Sequence, residues 1–343
     1  MYPEALIIEP MKINKIPEGK EHMFPSLCES GEYFAQLKKD GYWYMFEKTA
    51  NHSYLFSRNK SVETGVLTEK GANVPHIMEV LNHLPEGTIL IGEIYYPGKR
   101  SKDVTPIMGS LPEKAIERQN GEYGLLHYYI HDILRYKNKD LISYGASIRY
   151  DILKAVYNKL FSLEKVDFIE LAERVDENIQ EFVAGALEAG EEGAVLKKKT
   201  APYTPGKRPA WDTIKIKKTD TCDAICIGFG DPTREYTGKE IETWQYWEGE
   251  TPVTKPYYHG WKTSMEIGAY DENGNIVSIG SVSSGLTEKI QEIAGCNPEI
   301  FIGRVVKLAG MEKDREAKTL RHFYFKGFHE DKNPEDCKLN EIF

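Results

Sequence analysis

The chain has 343 residues, a charged fraction of 28%, a net charge of −9 and a mean hydropathy of −0.50. This length allows two domains with a core each, and no apolar run is long enough to span a membrane or to act as a signal peptide. The five cysteines, at positions 28, 222, 226, 296 and 337, include no Cys-x-x-Cys pair. Their scatter argues against a disulfide framework or a zinc site and favours a reducing, cytoplasmic setting.

Patterns in the first part of the chain alternate between strand and helix. Residues 33–38 predict a strand, Asp40-Gly41 predicts a turn, and residues 42–46 begin a second strand. The remaining expected elements are a helix at 76–84, strands at 89–96 and 125–134, helices at 146–161 and 177–189, and strands at 194–199 and 213–217. Asp176 is expected to cap the helix at 177–189, and Gly190 to end it. Together they predict a mixed α+β domain over residues 1–217.

After residue 217 the pattern changes to short strands separated by turn residues. Strands are expected near 222–229, 264–270, 275–282, 303–309 and 321–328, with a helix at 287–294. Thr287 is expected to cap this helix and Gly295 to stop it. Five strands with one intervening helix suggest an all-β barrel of the OB type over residues 218–343, with a hinge at 216–221.

The segment 234–262 appears as an aromatic-rich insertion between the first two barrel strands. Its aromatic residues are Tyr236, Trp244, Tyr246, Trp247, Tyr257, Tyr258 and Trp261. They could pack on the sugars or bases of a nucleic acid, with Arg234, Lys239, Lys255 and Lys262 on phosphates. They could equally form a small core that stabilises a long hairpin. The sequence leaves both interpretations open.

A basic block interrupts the acidic surface. Residues 193–218 carry eight Lys or Arg against one acid, Asp212. Such a block can pair with phosphates, although a solvated lysine-rich face would look the same. Lys199, Lys207 and Arg208 are therefore candidates for contacting nucleic acid.

Lys38 ends the first predicted strand just before a tight turn, where its amine could meet a nucleotide. A lysine is a nucleophile only when deprotonated, so its site is expected to lower its pKa by burial or by nearby cations such as Lys39, Lys215 and Lys217. Attack on an α-phosphate would form a phosphoramide and expel pyrophosphate. Taken alone, Lys38 could also be a surface lysine beside a hairpin turn.

Two acids and a lysine pair follow in positions that suit the same chemistry. Glu93 ends an apolar stretch and could bind ribose hydroxyls or a metal. Glu192 lies where a helix passes into a strand, and its carboxylate suits Mg²⁺. Lys215 and Lys217 alternate with isoleucines, so both project from one strand face and could clamp a triphosphate. Glu93 and the two lysines could instead be ordinary residues of an edge strand, and Glu192 could be a glutamate at the C-terminus of a helix.

In this order, these segments resemble the motifs of the covalent nucleotidyltransferase superfamily, and in particular the compact phage-type ATP-dependent DNA ligases. The resemblance covers nearly the whole chain. It rests on residues 38–41 (KKDG), 55–59 (LFSRN), 90–93 (LIGE), 129–134 (YIHDIL), 192–197 (EGAVLK), 215–217 (KIK) and 331–334 (DKNP). It implies an α+β fold, in which a mixed-sheet, ATP-grasp-like nucleotidyltransferase domain is followed by an OB-fold domain.

The resemblance also implies roles for individual residues. Lys38 would carry AMP, and Arg58 would meet a nucleotide or nick phosphate. The other residues of the ATP site would be Gln36, Glu93, His131, Glu192, Lys215, Lys217 and Lys332, of which Glu192 and Glu93 would also hold Mg²⁺.

Three positions depart from the family pattern. Trp43 and His329 stand where arginines are usual, and His131 stands where an adenine-stacking Phe or Tyr is usual. His131 can stack, but its ring is smaller and titratable. Arg321 or Lys326 could compensate for the charge missing at His329.

The function expected from the resemblance is the sealing of 3′-hydroxyl/5′-phosphate nicks in duplex DNA by a monomer that uses ATP and Mg²⁺. Alternatives are an RNA or RNA/DNA-hybrid ligase, a GTP-using capping enzyme, and a non-catalytic nucleic-acid-binding protein. Because fewer than 40 residues precede Lys38, we expect no large N-terminal DNA-binding domain. We expect the protein in a bacterial or phage-infected host cytoplasm, without a membrane partner.

Overall fold

The computed structural model describes residues 2, 4–17, 20–61, 65–160, 166–217, 220–238, 244–310, 312–321 and 323–343. The chain divides into two compact units, Met1–Lys217 (unit 1) and Lys218–Phe343 (unit 2), and both combine helices with sheets. Across the described ranges, no helix is both long enough and apolar enough to cross a bilayer.

Unit 1 is built around two sheets. Its strands are β1 (Asn14–Lys15), β2 (Tyr33–Lys38), β3 (Tyr42–Lys48), β4 (Ser53–Lys60), β5 (Leu67–Glu69), β6 (Thr88–Tyr95), β7 (His127–Tyr136), β8 (Lys139–Asp140), β9 (Ile169–Leu171), β10 (Gly193–Lys198) and β11 (Thr213–Lys217). Its helices are α1 (Phe24–Glu29), α2 (Pro75–Leu81), α3 (Ser101–Met108), α4 (Pro112–Arg118), α5 (Ala146–Leu160) and α6 (Ile179–Glu188). Shorter helical turns are Glu21–Met23, Gly71–Asn73 and Gln119–Tyr123.

The first sheet has the strand order β1-β11-β10-β2, and β10 pairs antiparallel with both β2 and β11. Successive side chains of a strand point to opposite faces. On one face, Ala35, Leu196 and Ile214 are buried in a cluster that also contains residues of α6. The other face carries Gln36, Lys38 and Lys217, and this polar face bears on function.

The second sheet has the order β5-β4-β3-β6-β7-β8, with β9 parallel to β7. One of its faces forms the largest core of unit 1, in which Phe46, Leu90 and Tyr128 are fully buried. The same core includes Ile77 of α2 and Leu153 of α5. This packing holds β6 and β7 as rigid supports for the side chains on their opposite face.

A buried ion pair connects α5 to β7. Arg149 is 1% exposed and lies 2.8 Å (Nε to Oδ1) and 3.0 Å (Nη2 to Oδ2) from the buried Asp132. Burial would raise the pKa of Asp132, but Arg149 and then Lys197 lower it to about 2. Asp132 is therefore a carboxylate at neutral pH, and the bidentate geometry fixes α5 against the middle of β7.

Unit 2 contains β12 (Asp220–Gly230), β13 (Gln245–Glu248), β14 (Thr251–Thr254), β15 (Ser264–Tyr270), β16 (Ile276–Val282), β17 (Val305–Gly310), β18 (Glu312–Asp314), β19 (Thr319–Arg321) and β20 (Tyr324–Phe328). Its helices are α7 (Lys255–Tyr258), α8 (Glu288–Cys296) and α9 (Leu339–Ile342), with shorter turns at Pro298–Ile300 and Pro334–Asp336. The main sheet has the antiparallel order β16-β15-β12-β17-β20, and α8 lies between β16 and β17 in the chain.

The aromatic segment folds into the β13–β14 hairpin followed by α7. Tyr246, Tyr258 and His259 contact one another at centroid distances of 5.1–5.2 Å, and His259 stacks on Trp261 at 5.3 Å. Trp247 remains 56% exposed and Tyr258 55%. The segment thus has a small aromatic cluster of its own and also leaves aromatic surface in contact with solvent. Lys239 lies outside the described residues.

Most predicted elements are present, but two residues predicted to begin or end a helix do not do so. Asp176 does not cap α6: the N-cap is Asn178 at a φ of 51°, and the Asp176 carboxylate binds Arg174 and Lys199 instead. Gly295 lies inside α8, which continues to Cys296 and ends before Pro298. Thr287 is confirmed as the cap of α8, since its hydroxyl accepts from the Ile290 N–H at 3.3 Å.

Candidate active site

The register of the first sheet brings Lys38 and Lys217 to opposite sides of Gly193. Gly193 is paired with Lys38 on β2 and with Lys217 on β11. Gly193 has a φ of +136°, and a Cβ at this position would collide with the carbonyl oxygen of Ile216. Only glycine fits such a position, so the space between the two lysines stays free of any side chain.

Carboxylates hold both lysines. Lys38 Nζ lies 2.6 Å from Glu192 Oε2 and 3.7 Å from Glu93 Oε1. The second oxygen of Glu192 binds Lys217 Nζ. The side chains of Lys38, Glu93 and Glu192 are only 13%, 14% and 17% exposed. Glu192 therefore bridges the two lysines in a largely buried cluster.

This arrangement shifts the pKa of Lys38 in the direction opposite to the one expected from the sequence. Burial alone would lower the pKa of Lys38, but Glu93 and Glu192 outweigh it and raise the pKa above its ordinary value. Lys39 does not act on this amine, because its own Nζ lies 2.8 Å from Glu191 Oε1. The prediction of a lowered pKa was wrong for this state of the site, and Lys38 is an ammonium at neutral pH.

Lys215 lies on the same sheet face as Lys38 and Lys217, and its pKa is below the ordinary value for lysine. Burial lowers it first, and the charges of Lys217, Lys38 and Arg208 lower it further. Lys215 sits across from Val195 in the sheet register, next to the row that contains Lys38 and Lys217. The polar face of the sheet therefore concentrates positive charge, which a bound polyanion could neutralise.

Both sheets contribute to a cleft beside this cluster. Its lining residues are Ile13, Gln36, Leu37, Lys38, Lys39, Glu93, Tyr129, His131, Val195 and Lys197. Within the described part of the chain, three lining residues bury a polar atom that has no hydrogen-bond partner: Gln36 Oε1, Glu93 Oε2 and Tyr129 OH. An unsatisfied buried polar group costs about 1–3 kcal/mol. Such a concentration of unpaired atoms in one cleft is typical of a ligand site.

His131 lines this cleft from a β-bulge. The pairing of β6 with β7 shifts register between Ile91 and Gly92, whose partners are Asp132 and Ile130, so His131 is the extra residue. Bulges re-aim side chains and occur next to active sites. Burial lowers the pKa of His131 to about 3, with the neighbouring Lys197 charge contributing. The imidazole is therefore neutral.

Lys197 and Tyr129 are site residues to which the sequence analysis assigned no role. Both lie inside segments quoted for the family resemblance. Lys197 follows Gly193 and Val195 on the same face of β10, so strand periodicity alone could have placed it in the cleft. Tyr129 pairs with Glu93 across β6 and β7, but that pairing could not be known before the strand register.

Other predicted residues lie away from this cluster. Arg58 is exposed near the end of β4 and does not line the cleft. Lys332 belongs to unit 2, where its Nζ lies 3.1 Å from Asp223 Oδ2 in a cavity also lined by Lys326 and His329. Trp43 packs into the apolar cluster around Met45 rather than facing the cleft. The side chain of Arg321 lies outside the described residues.

The three basic residues proposed for nucleic acid also differ in their surroundings. Lys207 and Arg208 are exposed. Lys199 is partly buried and lies 3.1 Å from Asp176 Oδ1.

Comparisons with known proteins identify the family of this chain. The family model described as "ATP dependent DNA ligase domain" matches residues 10–217, more than half of the chain. A probable DNA ligase from Nocardioides sp. is 26% identical over 234 residues, which cover 67% of this chain and 39% of that protein. A DNA ligase from Methanococcus aeolicus is 27% identical over 273 residues, covering 77% and 42%. The chain thus spans less than half the length of these relatives.

Solved structures with a similar fold include one from a study of DNA binding with a minimal scaffold by Lig E DNA ligases. It superposes with a TM-score of 0.60 at 14% identity, covering 94% of this chain and 100% of the other. A structure described as Pmar-Lig_Pre. gives a TM-score of 0.63 at 18% identity, covering 95% and 68%. The similarity extends over both units of the chain. With the family match over residues 10–217, it follows that this chain belongs to the ATP-dependent DNA ligase domain family.

Proposed function

We propose that this chain is an ATP-dependent polynucleotide ligase that seals 3′-hydroxyl/5′-phosphate nicks in duplex DNA through an AMP carried by Lys38. One observation carries the proposal. A largely buried lysine amine contacts Glu192 and Glu93, and Glu192 also binds Lys217, beside a cleft in which three buried polar atoms lack partners among the described residues. Membership of the family, and the names of the relatives, support ATP and DNA as the substrates.

The first step would occur at Lys38 Nζ. The amine attacks the α-phosphorus of ATP, an N–P bond forms, and the bond from that phosphorus to pyrophosphate breaks. Because Lys38 is held as an ammonium, it must first lose a proton. Glu192 Oε2, at 2.6 Å, is within reach to accept it. Lys215 and Lys217 would balance the charge of the triphosphate on the same sheet face.

The two glutamates fit a hard divalent cation. Glu93 Oε2 is buried and, within the described residues, has no partner. Those residues contain no group of three or more potential metal ligands of the His, Cys, Asp or Glu type. Mg²⁺ needs only one or two carboxylates when phosphates and water complete its shell. When bound, it would stabilise negative charge on the phosphates, and Glu93 and Glu192 are the residues that would hold it.

The remaining residues of the cleft suit the nucleoside. Gln36 Oε1 is buried, has no donor within the described residues and could accept from the exocyclic amine of adenine. Ile13 and Val195 offer apolar surface for the base. These contacts would position the α-phosphate against Lys38, and this positioning lowers the barrier to attack by the amine.

Unit 2 would complete the enzyme as an OB-fold domain. Its first three main strands form a meander (β12, β15, β16), α8 follows, and β17 returns to pair with β12, which supports a partly open Greek-key barrel. Lys332 would contact pyrophosphate, while Arg58, Lys199, Lys207 and Arg208 would contact nucleic acid. AMP would then pass to the 5′-phosphate of the nick, and the 3′-hydroxyl would displace it. By the resemblance to phage-type ligases, we propose a monomer in the cytoplasm.

Labelling followed by a chase tests this function. The protein is incubated with Mg²⁺ and ATP labelled at the α-phosphate, then mixed with nicked duplexes of DNA, RNA or mixed strands. We expect a labelled protein that loses its label to nicked DNA, no label on Lys38→Ala, and normal labelling of Lys60→Ala, whose lysine is 57% exposed. DNA binding without labelling, labelling by GTP alone, or release only by RNA-containing duplexes would each contradict the proposal.

A further inference from the structure

We propose that Lys197 is a positioning residue that fixes the His131 ring with its proton on Nε2, so that His131 donates a hydrogen bond to a ring nitrogen of the bound purine. This inference rests on the proposed function, because it requires ATP in the cleft. It assigns a base-reading role to His131 that a phenylalanine, which has no hydrogen-bond donor in its ring, could not perform.

The contact between Lys197 and His131 carries the inference. Lys197 is 7% exposed, and its Nζ lies 2.8 Å from the His131 carbonyl oxygen and 3.4 Å from His131 Nδ1. A lysine ammonium has three donors and no acceptor. The ring nitrogen that faces it must therefore accept, and in a neutral imidazole the single proton is then on Nε2.

A second layer holds the lysine in place. Lys197 Nζ is 4.0 Å from Asp132 Oδ2, and Asp132 is itself bound by both guanidinium nitrogens of Arg149 at 2.8 and 3.0 Å. The β-bulge at His131 sets the ring beside this network. The lysine is thus confined between a carboxylate, a carbonyl and the imidazole.

The protonation states agree with this arrangement. Burial, with the Lys197 charge second, lowers the pKa of His131 to about 3, so the ring is neutral at neutral pH. Burial lowers the pKa of Lys197 to about 8 against the opposing effect of Asp132, so most of its amine remains protonated there. A charged donor therefore faces a neutral ring.

The free side of the His131 ring suits the base rather than the phosphates. Nε2 has no hydrogen-bond partner among the residues that the structure describes, and the ring lines the cleft. Phosphates are expected near Lys38 and Lys217, whereas Ile13 and Val195 provide apolar surface for a flat ring. A purine presents N1, N3 and N7 as acceptors, and one Nε2–H can pair with only one of them.

Analogues of ATP in which a single ring nitrogen is replaced by CH test the hydrogen bond. Single-turnover self-adenylylation is measured as a maximal rate constant and a half-saturating concentration for ATP and for the N1, N3 and N7 replacements, with wild type and His131→Phe. We expect one replacement to raise the wild-type half-saturating concentration by about threefold to tenfold, the range of a neutral hydrogen bond. The same replacement should carry no penalty in His131→Phe. Equal penalties in both proteins, or none in wild type, would overturn the hydrogen bond.

The tautomer is tested separately, on wild-type protein labelled with ¹⁵N-histidine and free of nucleotide. The ring resonances of His131, identified by their loss in His131→Phe, should report a proton on Nε2. A proton on Nδ1 would overturn the role of Lys197, whatever the behaviour of its variants. Lys197→Arg, which keeps a charged donor, should retain the tautomer, and Lys197→Met should lose it. If wild type is never adenylylated, the proposed function fails while the tautomer result still stands.

Discussion

At the scale of single residues, the charge state of Lys38 depends on its carboxylate neighbours. Burial penalises the ammonium, yet Glu93 and Glu192 stabilise it more strongly and raise the pKa of the amine. The resting site therefore holds the Lys38 amine, which we propose as the nucleophile, in the protonated form. Anything that withdraws these carboxylates from Lys38 makes the amine more reactive.

Removing the Glu192 charge should shift the titration of Lys38. In Glu192→Gln, one of the two carboxylates that favour the ammonium is lost, so the pKa of Lys38 falls. The pH at which Lys38 becomes reactive towards acetic anhydride should then move below that of wild type. Competitive labelling with peptide mass spectrometry measures this without ATP.

The adjacent acid provides the matched control. Glu191 lies 2.8 Å from Lys39 Nζ rather than against Lys38, so Glu191→Gln should leave the Lys38 curve in place. An unchanged Lys38 curve in Glu192→Gln would contradict the charge balance described for the site.

At the scale of secondary-structure elements, the register of β2, β10 and β11 assembles the site. Gly193 lies between Lys38 and Lys217, and its backbone approaches β11 too closely for a side chain. A change at this glycine should therefore disturb chemistry as well as stability.

Gly193→Ala and Gly190→Ala distinguish crowding from backbone strain. Both glycines have positive φ, +136° and +82°, but only Gly193 would place its Cβ against backbone atoms. We expect Gly190→Ala to cost about 1–2 kcal/mol of stability and to keep adenylylation. Gly193→Ala should reduce adenylylation at least tenfold, on the order of 1.4 kcal/mol in the barrier. Denaturant unfolding and single-turnover labelling measure the two effects, and equal labelling rates would contradict this account.

The ion pair between α5 and β7 should matter for stability. Arg149→Met leaves the buried Asp132 carboxylate without its main partner, a change that typically costs about 3–5 kcal/mol. Hydrogen exchange of the α5 and β7 amides in the full chain should accelerate accordingly. Lys60→Met, at an exposed pair, should leave these amides unchanged.

The loss of folding stability at acid pH follows from the same ion pair between Arg149 and Asp132. The pKa of Asp132 is lowered from 3.8 to about 2 in the folded chain. Its contribution to stability is therefore present above the unfolded-state pKa and is lost as the pH falls through the folded-state pKa. In Asp132→Asn, stability should depend less steeply on pH between these two values. A slope identical to that of wild type would contradict this assignment.

Local sequence patterns predicted the positions of the strands better than the pairing between them. Sequence patterns predicted β2, β11 and β15 to the residue, although β2 buries both of its faces over Tyr33–Gln36. They could not predict that Glu93 pairs with Tyr129 or that His131 occupies a bulge, since both depend on the register between distant strands. Asp176 failed as a helix cap because Arg174 and Lys199 compete for its carboxylate.

At the scale of the whole molecule, the residues that we propose for the reaction with ATP are divided between the two units. Lys38 and its partners belong to unit 1, whereas Lys332 lies in a cavity of unit 2 beside Asp223. If Lys332 contacts only the departing pyrophosphate, it should matter for forming lysyl-AMP and not for sealing a nick that already carries AMP.

Lys332→Met tests whether Lys332 acts in forming lysyl-AMP and not in sealing the nick. We expect the rate of self-adenylylation to fall about tenfold or more, the usual contribution of a group that stabilises transferred charge. Sealing of pre-adenylylated nicked DNA should keep its wild-type rate. The exposed Lys289→Met on α8 should leave both rates unchanged. A parallel loss of both activities in Lys332→Met would assign Lys332 to DNA binding instead.

The position of the covalent AMP tests the proposed role of Lys38. Wild-type protein is incubated with ATP and Mg²⁺, digested under conditions that preserve phosphoramides, and mapped by mass spectrometry. We predict one adenylyl group on Lys38 and none on Lys39, Lys215 or Lys217. An adduct on any of those three lysines, or no adduct at all, would contradict this role.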